Sequence, residues 1–92
     1  MPTVRTRIIV DGRVQGVFFR EGTRQMATQN GVSGWVRNRP DGRVEAVFEG
    51  EPEHVATAVS WARRGPERAV VSDIEIIETE HPEGLAGFQI RY

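Results

Sequence analysis

Val32-Ser33-Gly34-Trp35-Val36-Arg37-Asn38-Arg39-Pro40-Asp41-Gly42-Arg43-Val44-Glu45-Ala46-Val47-Phe48-Glu49 places Pro40-Asp41-Gly42 between two runs of alternating apolar and polar residues. Proline presets one turn angle, aspartate bonds its own backbone and glycine accepts a positive φ, so the triplet reads as a turn. The pattern predicts a hairpin with strands over 32–39 and 43–49.

The elements on either side follow from this hairpin. Upstream, Val4 to Val10 is β-branched and loosely alternating and predicts a first strand. A glycine-bearing loop from Gly12 to Val17 follows. A helix is then expected from about Phe19 to Asn30, with Phe19, Thr23, Met26, Ala27 and Asn30 along one face and Gly31 ending it. Downstream, Glu51-Pro52-Glu53 opens a second helix, because proline suits the first turn and acids suit the positive end of the dipole. Its stripe is Val55, Ala58, Val59 and Ala62, and Arg63-Arg64-Gly65-Pro66 closes it. Val70 to Glu78 predicts a fourth strand with Ile74 and Ile76 on one face. His81-Pro82-Glu83-Gly84 is a polar loop, and Phe88 to Tyr92 is a short last strand.

The resulting order, βαββαβ with one extra strand, is that of two split βαβ units. It predicts a ferredoxin-like α/β sandwich (class α+β): an antiparallel sheet with both helices on one face and right-handed crossovers. With 92 residues, one domain over 1–92 is expected. A chain of this size buries only about 60–65% of its unfolded surface, so any active site must be shallow and use few residues.

Composition narrows the chemistry. There is no cysteine, which excludes disulfides, thiolate metal sites and thiol nucleophiles. All 12 basic residues are arginine. Codon bias in a GC-rich genome is the plainer account of that, but it still leaves no lysine for a Schiff base or a lysine-type phosphate loop. Any oxyanion must be held by guanidinium groups and backbone amides. The net charge of −1 argues against a general nucleic-acid binder. Met1-Pro2-Thr3-Val4-Arg5-Thr6-Arg7 lacks a signal-like apolar segment, and no apolar run could span a bilayer. A cytoplasmic protein is expected.

The loop after the first strand carries the clearest chemical signal. A strand that turns through glycines into a helix presents N–H groups without intrahelical partners, and these attract anions. Gly12 and Gly16 allow close backbone approach. Arg20, in the first helical turn, faces the positive end of the dipole; a shared anion would turn that repulsion into two attractions. The alternatives for Arg20 are exposure to solvent or a pair with Glu21 or Glu45. Asn38 lies near the end of the second strand, just before the turn, where its amide could project toward a ligand or bond the turn backbone.

Gly12-Arg13-Val14-Gln15-Gly16-Val17-Phe18-Phe19-Arg20 resembles the first acylphosphatase signature, glycine-x-valine-glutamine-glycine-valine-x-aromatic-arginine. Gly34-Trp35-Val36-Arg37-Asn38, followed by a turn and Val44, resembles the second. Gly87-Phe88-Gln89-Ile90-Arg91-Tyr92 is similar to the family's ending. The resemblance implies hydrolysis of acyl phosphates to a carboxylate and inorganic phosphate, without metal or cofactor. It assigns phosphate binding to Arg20 and to the backbone of Arg13, Val14, Gln15, Gly16 and Val17, and assigns positioning of the attacking water to Asn38. The expected partner is a small-molecule acyl phosphate, with no nucleic acid, no membrane and a monomeric chain.

Other residues have simpler roles. Trp35 and Trp61 read as packing residues, Asp41 as the shaper of the turn, Tyr92 as an anchor of the last strand, and His54 and His81 as solvated. The rival functions on this fold are a non-catalytic phosphate-binding module and an RNA-binding sheet.

Overall fold

The computed structural model describes residues 3–77 and 81–92. Met1 and Pro2 of the amino-terminal reading, and Glu78, the expected end of the fourth strand, lie outside the described residues. The elements are β1 (Val4–Arg13), α1 (Phe19–Gln29), β2 (Ser33–Asn38), β3 (Val44–Gly50), α2 (Pro52–Arg64), β4 (Val70–Ile77) and β5 (Phe88–Arg91). They form one sheet in the order β4-β1-β3-β2-β5. β4, β1, β3 and β2 pair antiparallel, whereas β5 joins the edge of β2 in parallel. The sheet is therefore mixed, because a chain arriving from the far edge runs beside β2 in its direction.

Strand alternation separates the two faces of the sheet. Thr6, Ile8 and Val10 of β1 stand opposite Phe48, Ala46 and Val44 of β3. These six side chains are buried under the helices. Ile76 and Ile74 of β4 pair with Ile8 and Val10 and pack against this core. From α1, Phe19, Thr23, Met26 and Ala27 enter it; from α2, Val55, Ala58 and Ala62 do so. Helix α1 closes as its glycine suggested: Gly31 has φ +68° and the Val32 N–H reaches the Ala27 carbonyl at 2.9 Å. Trp61 meets Phe19 edge-on, with ring centroids 5.7 Å apart.

The other face of the sheet is held by ion pairs. Glu45 receives hydrogen bonds from Arg7 and Arg37, and Glu49 receives one from Arg5 at 2.7 Å. Glu49 also accepts the backbone N–H groups of Glu83, Gly84 and Leu85, which fastens the polar loop across the sheet. Burial alone would raise both carboxyl pKa values, but these donors outweigh it and hold both below the ordinary range. Trp35 is buried there, with the Arg7 and Arg91 guanidinium groups 5.7 and 4.7 Å from its ring.

Two local expectations change. The loop after β1 is shorter than predicted, because Gly12 and Arg13 continue the strand opposite Val71 and Val70. The register shifts between Asp11 and Gly12, and a Cβ on Gly12 (φ +123°) would lie 2.1 Å from the Val70 carbonyl oxygen. Gly12 thus serves close pairing with β4 at a bulge rather than approach to a ligand. Tyr92 does not anchor β5; it lies beyond the strand and is 98% exposed.

Candidate active site

β1, β2 and β5 all run in the same direction, since β1 and β2 are each antiparallel to β3 and β5 is parallel to β2. Their carboxyl ends therefore emerge at one end of the sheet, where the chain leaving β1 turns into α1. A cleft of about 230 Å³ opens there, lined by Val14, Gly16, Phe18, Phe19, Arg20, Glu21, Asn38, Ile90 and Tyr92. A larger groove of about 530 Å³ runs alongside α2 and is lined by none of the candidate site residues.

The loop is pinned from below. The side chains of Val14 and Val17 are sunk into the core, whereas Gly16 and Phe18 are exposed. Gly16 has φ +74° with no atom within 4 Å of a built Cβ, so its backbone faces open space. Phe18 precedes α1 at φ 63°, the one positive-φ residue other than glycine among those described. A left-handed non-glycine residue costs roughly 1–2 kcal/mol, and strain of this kind gathers at ligand sites.

The donors of this loop are unengaged. Among the described residues, no backbone or side-chain acceptor meets the N–H groups of Val14, Gln15, Gly16, Val17 or Phe18, and no side chain caps α1. Consecutive N–H groups at a helix amino terminus form an anion-binding concavity. Arg13 stands apart from it, exposed at the end of β1. The Gln15 side chain turns away from the cleft and donates to the carbonyls of Arg39 at 2.8 Å and Arg43 at 3.0 Å. That use of Gln15, as a tie to the β2–β3 hairpin, was not legible in the sequence.

Both carboxylates considered as partners for Arg20 are taken by other residues. Glu21 pairs with Arg24 at 3.0 Å, and Glu45 lies on the opposite face of the sheet with Arg7 and Arg37. The Arg20 guanidinium is half-buried and rests 4.9 Å from the centre of the Tyr92 ring. No carboxylate among the described residues pairs with it. A cation held by a π face keeps the N–H donors at its own edges available.

Asn38 shares the face of Val36 and Gly34, which pair with the buried Ala46 and Phe48, so its side chain is directed toward the helical layer and the cleft. It is half-buried, and its amide has no hydrogen-bond partner among the described residues. The turn is held without it. Asp41 accepts from the Arg43 backbone at 3.1 Å and from the Arg39 and Arg43 guanidinium groups, which hold its carboxyl far below the usual carboxylate range. Arg20, Asn38 and the loop backbone at Val14 and Gly16 are thus the sequence-predicted groups that meet at the cleft. Missed by sequence reasoning as lining residues were Phe19 and Glu21 of α1 and, at the rim, Phe18, Ile90 and Tyr92. Their places depend on the left-handed turn at Phe18 and on the parallel seating of β5.

Comparison with known proteins agrees with this architecture. The acylphosphatase family model matches residues 6–90. An acylphosphatase of Rubrobacter xylanophilus is 55% identical over 89 residues, which span 97% of this chain and 81% of the relative. One of Haloarcula marismortui is 51% identical over 92 residues, the full length of both chains. The crystal structure of acylphosphatase from Bacillus subtilis superposes with a TM-score of 0.93 at 42% identity, covering 97% of this chain and 99% of the other. The chain belongs to the acylphosphatase family.

Proposed function

We propose that the cleft hydrolyses acyl phosphates to a carboxylate and inorganic phosphate, by in-line attack of a water molecule and without a metal ion. The observation that carries this reading is the convergence of three unengaged sets of polar groups on one small cleft: the loop N–H groups, the Arg20 guanidinium and the Asn38 amide.

The roles follow from the chemistry of the bond. An acyl phosphate is a mixed anhydride whose leaving group is the anion of an acid with pKa of roughly 4, so its departure needs no general acid. What remains is to neutralise charge on the equatorial phosphoryl oxygens and to align the nucleophile. The N–H groups of Val14 to Val17 and the Arg20 fork supply preorganised donors for those oxygens. Asn38 holds the water on the face opposite the leaving group. The water oxygen bonds to phosphorus as the phosphorus–carboxylate oxygen bond breaks, and the water proton passes to a phosphate oxygen. Among the described residues, no three His, Asp or Glu side chains converge as metal ligands would. The protein works as a soluble enzyme in this account; no helix of the described chain is long and apolar enough to cross a membrane.

The test compares benzoyl phosphate with an alkyl phosphate monoester, whose alkoxide is a poor leaving group. Rapid hydrolysis of the first and very slow hydrolysis of the second is expected. Comparable rates, or phosphate binding with no turnover of benzoyl phosphate, would rule the mechanism out; the latter would identify a phosphate-binding module.

A further inference from the structure

Among the described residues, the exposed large apolar side chains are Phe18, Val70 and Tyr92, at 68, 62 and 98% exposure. Two of these three line the same cleft, and they are the only exposed aromatic rings. The remaining aromatics, Phe19, Trp35, Phe48, Trp61 and Phe88, are buried or half-buried. Phe18 is also the left-handed residue before α1, so the fold accepts backbone strain there and receives no core packing from the ring. An apolar ring held in water at a strained position, with a second exposed ring lining the same cleft, marks a ligand contact.

We infer that Phe18 and Tyr92, with Ile90 between them and the core, form an acyl-group subsite that favours aromatic acyl phosphates over short aliphatic ones. This deepens the proposed hydrolysis and rests on it. The phosphoryl group must occupy the polar part of the cleft, against the loop N–H groups and Arg20. The acyl substituent, one carbonyl away, then projects toward the rim where the two rings stand. One face of Tyr92 carries the Arg20 guanidinium, and its exposure leaves ring surface for an incoming aryl group. Tyr92 therefore couples the two halves of the site, seating Arg20 on the phosphate side and an apolar ring on the acyl side. An acetyl group is too short to cover either ring, whereas a benzoyl group offers an aromatic face to both.

The experiment measures kcat/KM for benzoyl phosphate and acetyl phosphate in the wild-type chain, Phe18→Asn and Tyr92→Ala. Asparagine removes the ring and tolerates the left-handed backbone, and both positions are at the surface, so folding is expected to survive; circular dichroism checks it. The wild-type chain favours benzoyl phosphate, and the benzoyl-to-acetyl ratio falls roughly three- to tenfold in each variant, the range expected for losing one aromatic contact. Using the ratio cancels any effect of Tyr92→Ala on Arg20, which bears on both substrates alike. Equal kcat/KM values in the wild type, or a ratio within about twofold of wild type in either variant, would overturn the subsite. Absence of turnover on both substrates in the wild type would instead overturn the hydrolase reading itself.

Discussion

The Gln15 side chain donates to the Arg39 carbonyl at 2.8 Å, fixing the middle of the glycine loop to the residue that follows Asn38. A second bond, to Arg43 at 3.0 Å, spans the turn. The two halves of the cleft belong to sequence segments more than 20 residues apart, and Gln15 is the side chain that sets their relative position. A side chain that touches neither phosphate nor water can thus govern how a phosphate and a water align.

Gln15→Ala removes both bonds. Each is worth about 0.5–1.5 kcal/mol, so thermal unfolding should register a modest loss. Turnover should fall more steeply, by about tenfold to a hundredfold, because small misplacements of reacting groups are costly. A fall in kcat with little change in phosphate inhibition is expected; kcat equal to wild type would deny Gln15 its aligning role.

Arg20→Ala should reduce kcat/KM for benzoyl phosphate by about 10²–10³ or more, and weaken inhibition by inorganic phosphate. Arg20→Lys should restore little, since an ammonium cannot reproduce the planar fork. Steady-state kinetics with phosphate as inhibitor provides both quantities.

Asn38→Ala should separate the two functions. Turnover is lost while the inhibition constant for phosphate stays near wild type, because the role proposed for Asn38 is to hold the water and not the anion. Full activity in this variant would remove the water-positioning assignment.

Two glycines should respond differently to alanine. At Gly12 the new Cβ would lie 2.1 Å from the Val70 carbonyl at φ +123°, so β1 and β4 must separate and at least about 2 kcal/mol is lost. At Gly16 nothing lies within 4 Å and only the left-handed backbone is penalised, about 1 kcal/mol. Urea unfolding of the two variants should show Gly12→Ala as clearly the less stable.

Acid sensitivity should follow Glu45 and Glu49. Both carboxyls sit below their ordinary value of 4.5 in the fold. A depressed folded pKa contributes stability above the unfolded value and loses it as pH falls through the folded value. Urea midpoints should therefore hold near neutrality and decline below about pH 4.5. Glu49→Gln should flatten that decline while lowering stability at neutral pH, since the buried Arg5–Glu49 ion pair is lost.

The hairpin and both helices were legible because their signals are local. Pro40-Asp41-Gly42, the stripe at Val55, Ala58, Val59 and Ala62, and Gly31 each act within a few residues of themselves. The end of β1 was not legible, because Gly12 and Arg13 take their conformation from β4, nearly 60 residues away. Tyr92 was misread for a similar reason: β5 aligns in parallel with β2, and this carries the next residue past the sheet to the Arg20 guanidinium. Among the candidate groups, Arg20, Asn38 and Gly16 were visible as residue types in suggestive places. Their meeting at one cleft depends on the common direction of β1 and β2, which only the full topology provides.

Benzoyl phosphate hydrolysed in ¹⁸O-labelled water with chelator present tests the central claim most directly, with mass analysis of both products. Turnover insensitive to chelator is expected, with the label in inorganic phosphate and none in benzoate. Label in benzoate, which would mean attack at the acyl carbon, or turnover abolished by chelator, would contradict it.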